Sequence, residues 1–304
     1  MTVDQATNVA RAARPAARPT AQPRSPAGTG GLVFTGIAEV FLVAWAILVI
    51  FPFVWMVMTA FKADQEIFFS PWALPSTLHW DNFARAWENA SIGPYFINSL
   101  IVLAGSLTLT LLFSSMAAYV LARYEFPGSK IIYYAFMAGL MFPIFLALVP
   151  LFFVVRDLGM LSTYQGLILV YAAYSMPFSI FFLYSFFRSL PGEIAEAALV
   201  DGASHWTIFA RVMLPMAQPG LVSIGLFNFI GQWNQFILPL VLVSDRDRYV
   251  LAQGLAFLAI QQGYQNDWSA LFAGLTITTI PLLLVYAIFQ GKIEKGLTAG
   301  ALKA

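Results

Sequence analysis

Six long apolar stretches decide what this chain can become. They run over Val33 to Phe61, Tyr95 to Leu121, Ile131 to Val155, Tyr164 to Phe187, Leu221 to Val243 and Trp268 to Phe289. Each is near or above the ~20 residues that a helix needs to cross the hydrocarbon core of a bilayer. A chain in lipid must satisfy its own backbone polar groups, so each stretch is expected as a helix. The expected fold class is an all-α membrane protein with six transmembrane helices, and an even number of spans returns both ends to one side. Composition agrees, since only 10% of the residues are charged, against about a quarter in soluble proteins.

Charge sets the expected orientation. Eleven of the sixteen Lys and Arg fall on the side of the termini: Arg11, Arg14, Arg18, Arg24, Arg123, Lys130, Arg188, Arg211, Lys292, Lys295 and Lys303. Lys62, Arg85, Arg156, Arg246 and Arg248 fall on the other. The positive-inside rule therefore makes both termini cytosolic. Residues 1–31, rich in Ala, Arg, Pro and Gly, are expected as a disordered cytosolic tail ahead of a transmembrane domain over 32–304. The first apolar run is too long for a signal peptide and lacks a clear cleavage site, so it is expected to stay as an anchor. A net charge of +1 excludes a nucleic-acid partner, which needs a concentrated basic face. With no cysteine in the chain, disulfides, thiolate metal sites and cysteine nucleophiles are excluded.

The first external segment, Lys62 to Pro94, is long enough to carry structure. Trp80, Phe83 and Trp87 repeat at helical spacing within Trp80 to Ala90, which predicts an amphipathic helix anchored along the membrane surface. The segment Ser244 to Asp267 is expected as a loop, and its G-Y-Q-N-D-W run suits either a solvated turn or contact with an external protein. Glu39 lies about two turns into the first span, where it can snorkel to the interface or pair with a neighbouring helix; a proton relay lacks a partner.

The longest hydrophilic interruption of the second half runs over 188–219. Pro191 suits a helix start, Glu193 and Glu196 suit the positive end of a helix, and Gly202 suits its end. Ser204 can cap a second helix whose Trp206, Phe209 and Met213 form an apolar stripe, with Pro215 and Pro219 expected to stop it. Two short helices joined by glycine make a compact docking knob.

In the fifth span Asn228, Gln232 and Gln235 share one face, with Gly225 and Gly231 close to it. Amides in hydrocarbon must face another helix or a wet cavity, and helix packing is the more ordinary use.

Glu196-Ala197-Ala198, then Gly202, then Val212-Met213-Leu214-Pro215 resembles the EAA loop of permease subunits of ATP-binding-cassette (ABC) importers. E-I-F-F-S-P-W, D-N-F-x-x-A-W and Y-F-I-N-S-L in the first external segment resemble sugar permeases, as does Trp233-Asn234-Gln235-Phe236. The ending K-G-L-T-A-G-A-L-K, Lys295 to Lys303, resembles maltose-type permeases. The likeness runs from about residue 33 to the end. It implies the type I importer permease fold in the cytoplasmic membrane of a prokaryote. It implies one of two permease subunits, beside two ATPase subunits that bind ATP and Mg and an extracellular solute-binding protein. It also implies that Glu193, Glu196, Ala197, Ala198, Asp201, Gly202, Ala203, Phe209, Leu214 and Pro215 couple to an ATPase. Asn228, Gln232, Trp233, Asn234 and Gln235 become candidates for the translocation path. The expected cargo is a sugar or short oligosaccharide, with glycerol-3-phosphate or another solute as the alternative.

What the chain lacks points the same way. It has no G-x-x-x-x-G-K-[ST], so energy must come from another polypeptide. G-x-S-x-G and H-E-x-x-H are missing, and His79 and His205 fall on opposite sides, so no enzyme is expected and no cofactor bound by this chain. A self-powered transporter would show inverted repeats, interrupted helices or paired intramembrane charges, none of which is visible in the sequence.

Overall fold

The computed structural model describes residues 29–265 and 267–301, and most of the expected tail of residues 1–31, namely 1–28, lies outside them. The chain divides into two units, Met1–Phe53 and Val54–Ala304. Most of the first helix, α1 (Thr29–Thr59), belongs to the first unit, so helix has already begun within the stretch expected as tail. Among the described residues every regular element of the second unit is a helix.

The two helices packed most extensively against each other are α4 (Ile92–Arg123) and α7 (Tyr164–Ser189). They run in the same direction. Near their starts the Tyr164 hydroxyl donates to Asn98 Oδ1 at 2.6 Å, and just past their ends Arg123 Nη2 donates to the Leu190 carbonyl at 2.7 Å. The bundle thus has two distinct ends. At the Asn98 end lie α2 (Asp64–Phe69) and the expected amphipathic helix, observed as α3 (Asp81–Glu88).

That end is tied by polar contacts rather than by apolar packing alone. Lys62 is fully buried, and its ammonium donates to the carbonyls of Ser70 and Pro71 at 2.9 and 3.0 Å. Asn82 donates to the carbonyls of Ala60 and Lys62, while Ser269 donates to Asp64 through both its N–H and its hydroxyl. Buried charge is costly unless fully hydrogen-bonded. These bonds therefore fix the segment in place. Outside the spans, the Ser76 hydroxyl and N–H hold the Glu66 carboxyl below the ordinary carboxylate range, partly offset by burial.

Three expected features are corrected. The third span, expected unbroken from Ile131 to Val155, is two helices, α5 (Ser129–Met141) and α6 (Ile144–Asp157), bent by 106°. A residue before proline is driven out of the α region, and Phe142 before Pro143 is extended at φ −79°, ψ 118°. The fifth span, expected over Leu221 to Val243, is also interrupted, as α10 (Gln218–Trp233) and α11 (Ile237–Leu242). Interrupted helices are therefore present, against the sequence reading. Finally, the expected loop Ser244 to Asp267 contains a 15-residue helix, α12 (Leu251–Gln265), whose Leu251, Leu255 and Leu258 are buried. The chain closes with α13 (Trp268–Ala301). Among the described residues four helices are long and apolar enough to cross a membrane, or up to six spans if each bent pair counts as one.

Candidate functional site

The knob is built where α4 and α7 end. Arg123 holds the carbonyl of Leu190, and the chain then forms α8 (Glu193–Val200), with Glu193 and Glu196 in its first turn. Carboxylates there sit against the positive end of the helix dipole. Gly202 ends the helix at φ +82°, in the left-handed region that costs other residues about 1–2 kcal/mol. The N–H of Ala203 then closes on the Ala198 carbonyl at 3.0 Å.

The second helix, α9 (His205–Met216), starts as expected, with Ser204 Oγ accepting from the Thr207 N–H at 3.2 Å. Pro215 does not stop it. The helix widens into a π turn over Phe209–Met213, where the Leu214 N–H reaches back five residues to the Phe209 carbonyl. A proline lacks an N–H and its ring clashes with the carbonyl four residues earlier, so a wider turn before it lets the helix pass. The chain bends by 73° only afterwards, between Met216 and Gln218.

The two faces of the knob differ. Ile208, Phe209 and Met213 are buried against Tyr119, Ile180, Leu183 and Phe187, with Ala195, Ala198, Ala203 and Leu214 packed around them. Phe209 lies 5.1 Å from the Tyr119 ring, and His205 Nδ1 is 3.0 Å from the Tyr124 hydroxyl. The outer face exposes Glu193, Glu196, Ala197, Asp201 and Pro215 together with Ile194, Leu199, Val200 and Trp206. Trp206 thus leaves the expected inward stripe, while Phe209 wedges the knob onto the spans. An exposed surface mixing apolar side chains with carboxylates suits a partner protein. Sequence reasoning missed Tyr119, Arg123 and Tyr124. The only available signal was their clustering at the end of an apolar run.

The second candidate group divides. Asn228 and Gln232 are buried among α4, α7 and α10. Asn228 Nδ2 donates to Ser179 Oγ at 2.8 Å, and Gln232 Nε2 donates to Ser175 Oγ at 2.9 Å and to Thr110 Oγ1 at 3.5 Å. Gln232 Oε1 accepts from Ser106 Oγ at 2.7 Å. Trp233 is also buried, stacking on Phe229 and donating to the Thr278 carbonyl at 3.2 Å, so it joins α10 to α13. Asn234 is exposed and bonds the carbonyl of Ile230 at the helix break.

Asn228, Gln232 and Gln235 also line a cavity of ≈ 340 Å³ with Phe142, Tyr171, Tyr174, Ser175, Phe178 and Phe227. Phe142 comes from the break of the third span and Gln235 from the break of the fifth. Irregular backbone at membrane depth is tolerated where it lines a cavity or is buried in protein. Among the described residues none that lines it is charged.

Residues 110–299 match the family described as binding-protein-dependent transport system inner membrane component. The chain is 50% identical over 270 residues to the diacetylchitobiose uptake system permease protein NgcG of Streptomyces coelicolor, covering 89% of each chain. It is 36% identical over 264 residues to the trehalose/maltose transport system permease protein MalG of Thermococcus litoralis, covering 85% of this chain and 93% of the relative. Its fold matches a chain from the crystal structure of a bacterial ABC transporter that imports the acidic polysaccharide alginate. The TM-score is 0.77 and the identity 20%, over 86% of this chain and 97% of that one. That likeness speaks for the fold alone.

Proposed function

The chain belongs to the binding-protein-dependent transport system inner membrane components, and from that membership we propose that it is the subunit through which a short neutral oligosaccharide crosses the cytoplasmic membrane. As a family member it is a multi-pass permease component of an ABC importer and is not itself catalytic. ATP and Mg are bound by separate ATPase subunits, and an external binding protein delivers the solute.

The observation that carries the cargo assignment is the uncharged cavity between the two helix breaks. Aromatic faces and amides suit a ring bearing hydroxyls and acetamido groups. A phosphate ester would meet no counter-charge there, which disfavours glycerol-3-phosphate. Relatives named for diacetylchitobiose, trehalose and maltose support the same class. Asn228, Gln232 and Gln235 are assigned to this path, with Trp233 and Asn234 supporting it from behind.

The knob is assigned to the ATPase. Glu193, Glu196, Ala197, Asp201 and Gly202 face outward to meet it, while Ala198, Ala203, Phe209 and Leu214 transmit its movement to α4 and α7 and Pro215 borders the bend. Two ATPases need two such knobs and this chain carries one EAA segment, so a companion permease supplies the other. The excess of Lys and Arg at the knob end supports cytosolic termini, with residues 1–31 as a tail ahead of the permease domain.

Uptake of radiolabelled diacetylchitobiose, maltose and glycerol-3-phosphate by a strain deleted for this chain tests the reading. Loss of disaccharide uptake with glycerol-3-phosphate uptake unchanged is expected. Loss of glycerol-3-phosphate uptake alone would overturn the cargo assignment.

A further inference from the structure

A second recess, of ≈ 620 Å³, opens at the knob end where α4 and α7 finish and α5 begins. Three cations line it, Arg123, Lys130 and Arg188, against one acid, Glu125. None of the four is in an ion pair with another described residue. Arg123 commits Nη2 to the Leu190 carbonyl, but its Nε is buried without an acceptor. A buried donor left unpaired is unfavourable, and most such groups have a partner. Arg188 bonds the Tyr184 hydroxyl at 3.3 Å, and the Tyr184 and Tyr133 rings lie 4.3 Å apart on the same wall.

The recess therefore offers unneutralised positive charge, an orphan donor and tyrosines of the kind that gather at membrane interfaces. It does not stand alone. It shares Glu125, Ser129 and Lys130 with a neighbouring hollow that continues to Ile131, and beyond this Ile131 and Tyr134 are 75% and 66% exposed. A soluble anion has no use for that apolar flank. An acidic side chain of a protein partner would likewise leave that flank unused.

We propose that this recess binds the phosphodiester headgroup of an anionic phospholipid, with the acyl chains lying along the exposed side of α5. A phosphate oxygen takes the Arg123 Nε donor, Lys130 and Arg188 supply charge, and Ile131 meets the chains. Because Arg123 also holds the chain that enters the knob, the lipid borders the part of the molecule assigned to coupling. The inference rests on the chain spanning a membrane and on neither the cargo nor the sidedness.

The test is native mass spectrometry of the complete importer, with phosphatidylglycerol or phosphatidylcholine added to the detergent. The wild type is expected to retain one more phosphatidylglycerol than phosphatidylcholine per copy of this chain. The double variant Lys130→Gln, Arg188→Gln should lose that lipid, with affinity falling about tenfold or more, while Lys130→Arg, Arg188→Lys keeps it. Arg156→Gln, at the opposite end of the bundle, should leave the count unchanged. Equal retention by the wild type and the Gln variant overturns the proposal, as does equal loss in Arg156→Gln. Displacement by millimolar inorganic phosphate would assign the recess to a soluble anion, and lipid bound only after the ATPase is stripped away would assign it to an acidic group of that subunit. Either result refutes a lipid site. The readout is lipid mass, so it is independent of transport.

Discussion

Replacing Gln232 by Leu separates the two uses of the amide face. Gln232 bridges α10 to α4 and α7 through bonds of 2.7 Å to Ser106 and 2.9 Å to Ser175, with a longer one to Thr110. Interhelical hydrogen bonds in membranes average about 0.6 kcal/mol and reach about 1.7. Two short ones are thus worth about 1–3 kcal/mol. Ser106 also has the Val102 carbonyl at 2.7 Å as an acceptor, so its proton is not orphaned and the lower part of that range is expected. Leucine should therefore destabilise the permease by about 1–2 kcal/mol, shifting its unfolding equilibrium about 5- to 30-fold. The assay is reversible unfolding in mixed micelles, run as a cycle with Ser106→Ala. A coupling of about 0.6–1.7 kcal/mol between the two sites is predicted. Zero coupling, with a Leu variant as stable as the wild type, would refute the helix-bridging account. If such a variant also lost uptake, Gln232 would serve the solute alone.

Two glycines give sharper structural tests. A Cβ on Gly254 would lie 2.1 Å from Tyr95 Cδ2, and Tyr95 is buried with its hydroxyl accepting from Arg246 Nε. Gly254→Ala should cost about 1–3 kcal/mol by overpacking, measured in the same micelles, and Tyr95→Leu should restore part of the loss. At Gly202 a Cβ meets nothing within 4 Å among the described residues, so within this chain only the positive φ resists substitution. Gly202→Asn should be tolerated better than Gly202→Val in coupled uptake, because Asn visits the left-handed region and β-branched residues do not; equal activity of the two would remove the backbone argument.

The sequence made the apolar spans and the knob legible because both depend on local pattern. The helix starting at Ser204, the left-handed Gly202 and the acidic first turn at Glu193 and Glu196 are all set by neighbouring residues. The breaks were not legible. Pro52, Pro150, Pro177 and Pro281 all sit inside continuous helices, while Phe142 before Pro143 is extended. The presence of a proline therefore does not tell which span breaks, and hydropathy does not record it either. The same holds for α12, whose buried Leu251, Leu255 and Leu258 read as loop when attention falls on the polar G-Y-Q-N-D-W run. Gln232 was legible as a polar residue needing a partner, but the identity of Ser106 and Ser175 as partners was not. Those residues lie 126 and 57 positions away.

The central claim is that the knob passes ATPase movement to the spans. Its most direct measurement uses the complete importer in proteoliposomes, comparing wild type with Glu196→Ala for ATPase recovery, solute uptake and stimulation of ATP hydrolysis by the binding protein. Glu196 is exposed in the first turn of α8, so its loss should leave the permease folded. If it pairs with an ATPase cation, truncation costs about 2–5 kcal/mol at the interface. As a solvated helix-end acid it is worth only about 0.3–1 kcal/mol. The account predicts weakened ATPase recovery and loss of binding-protein-stimulated hydrolysis and uptake, with permease still present in the membrane. Normal recovery together with normal coupled uptake would contradict it.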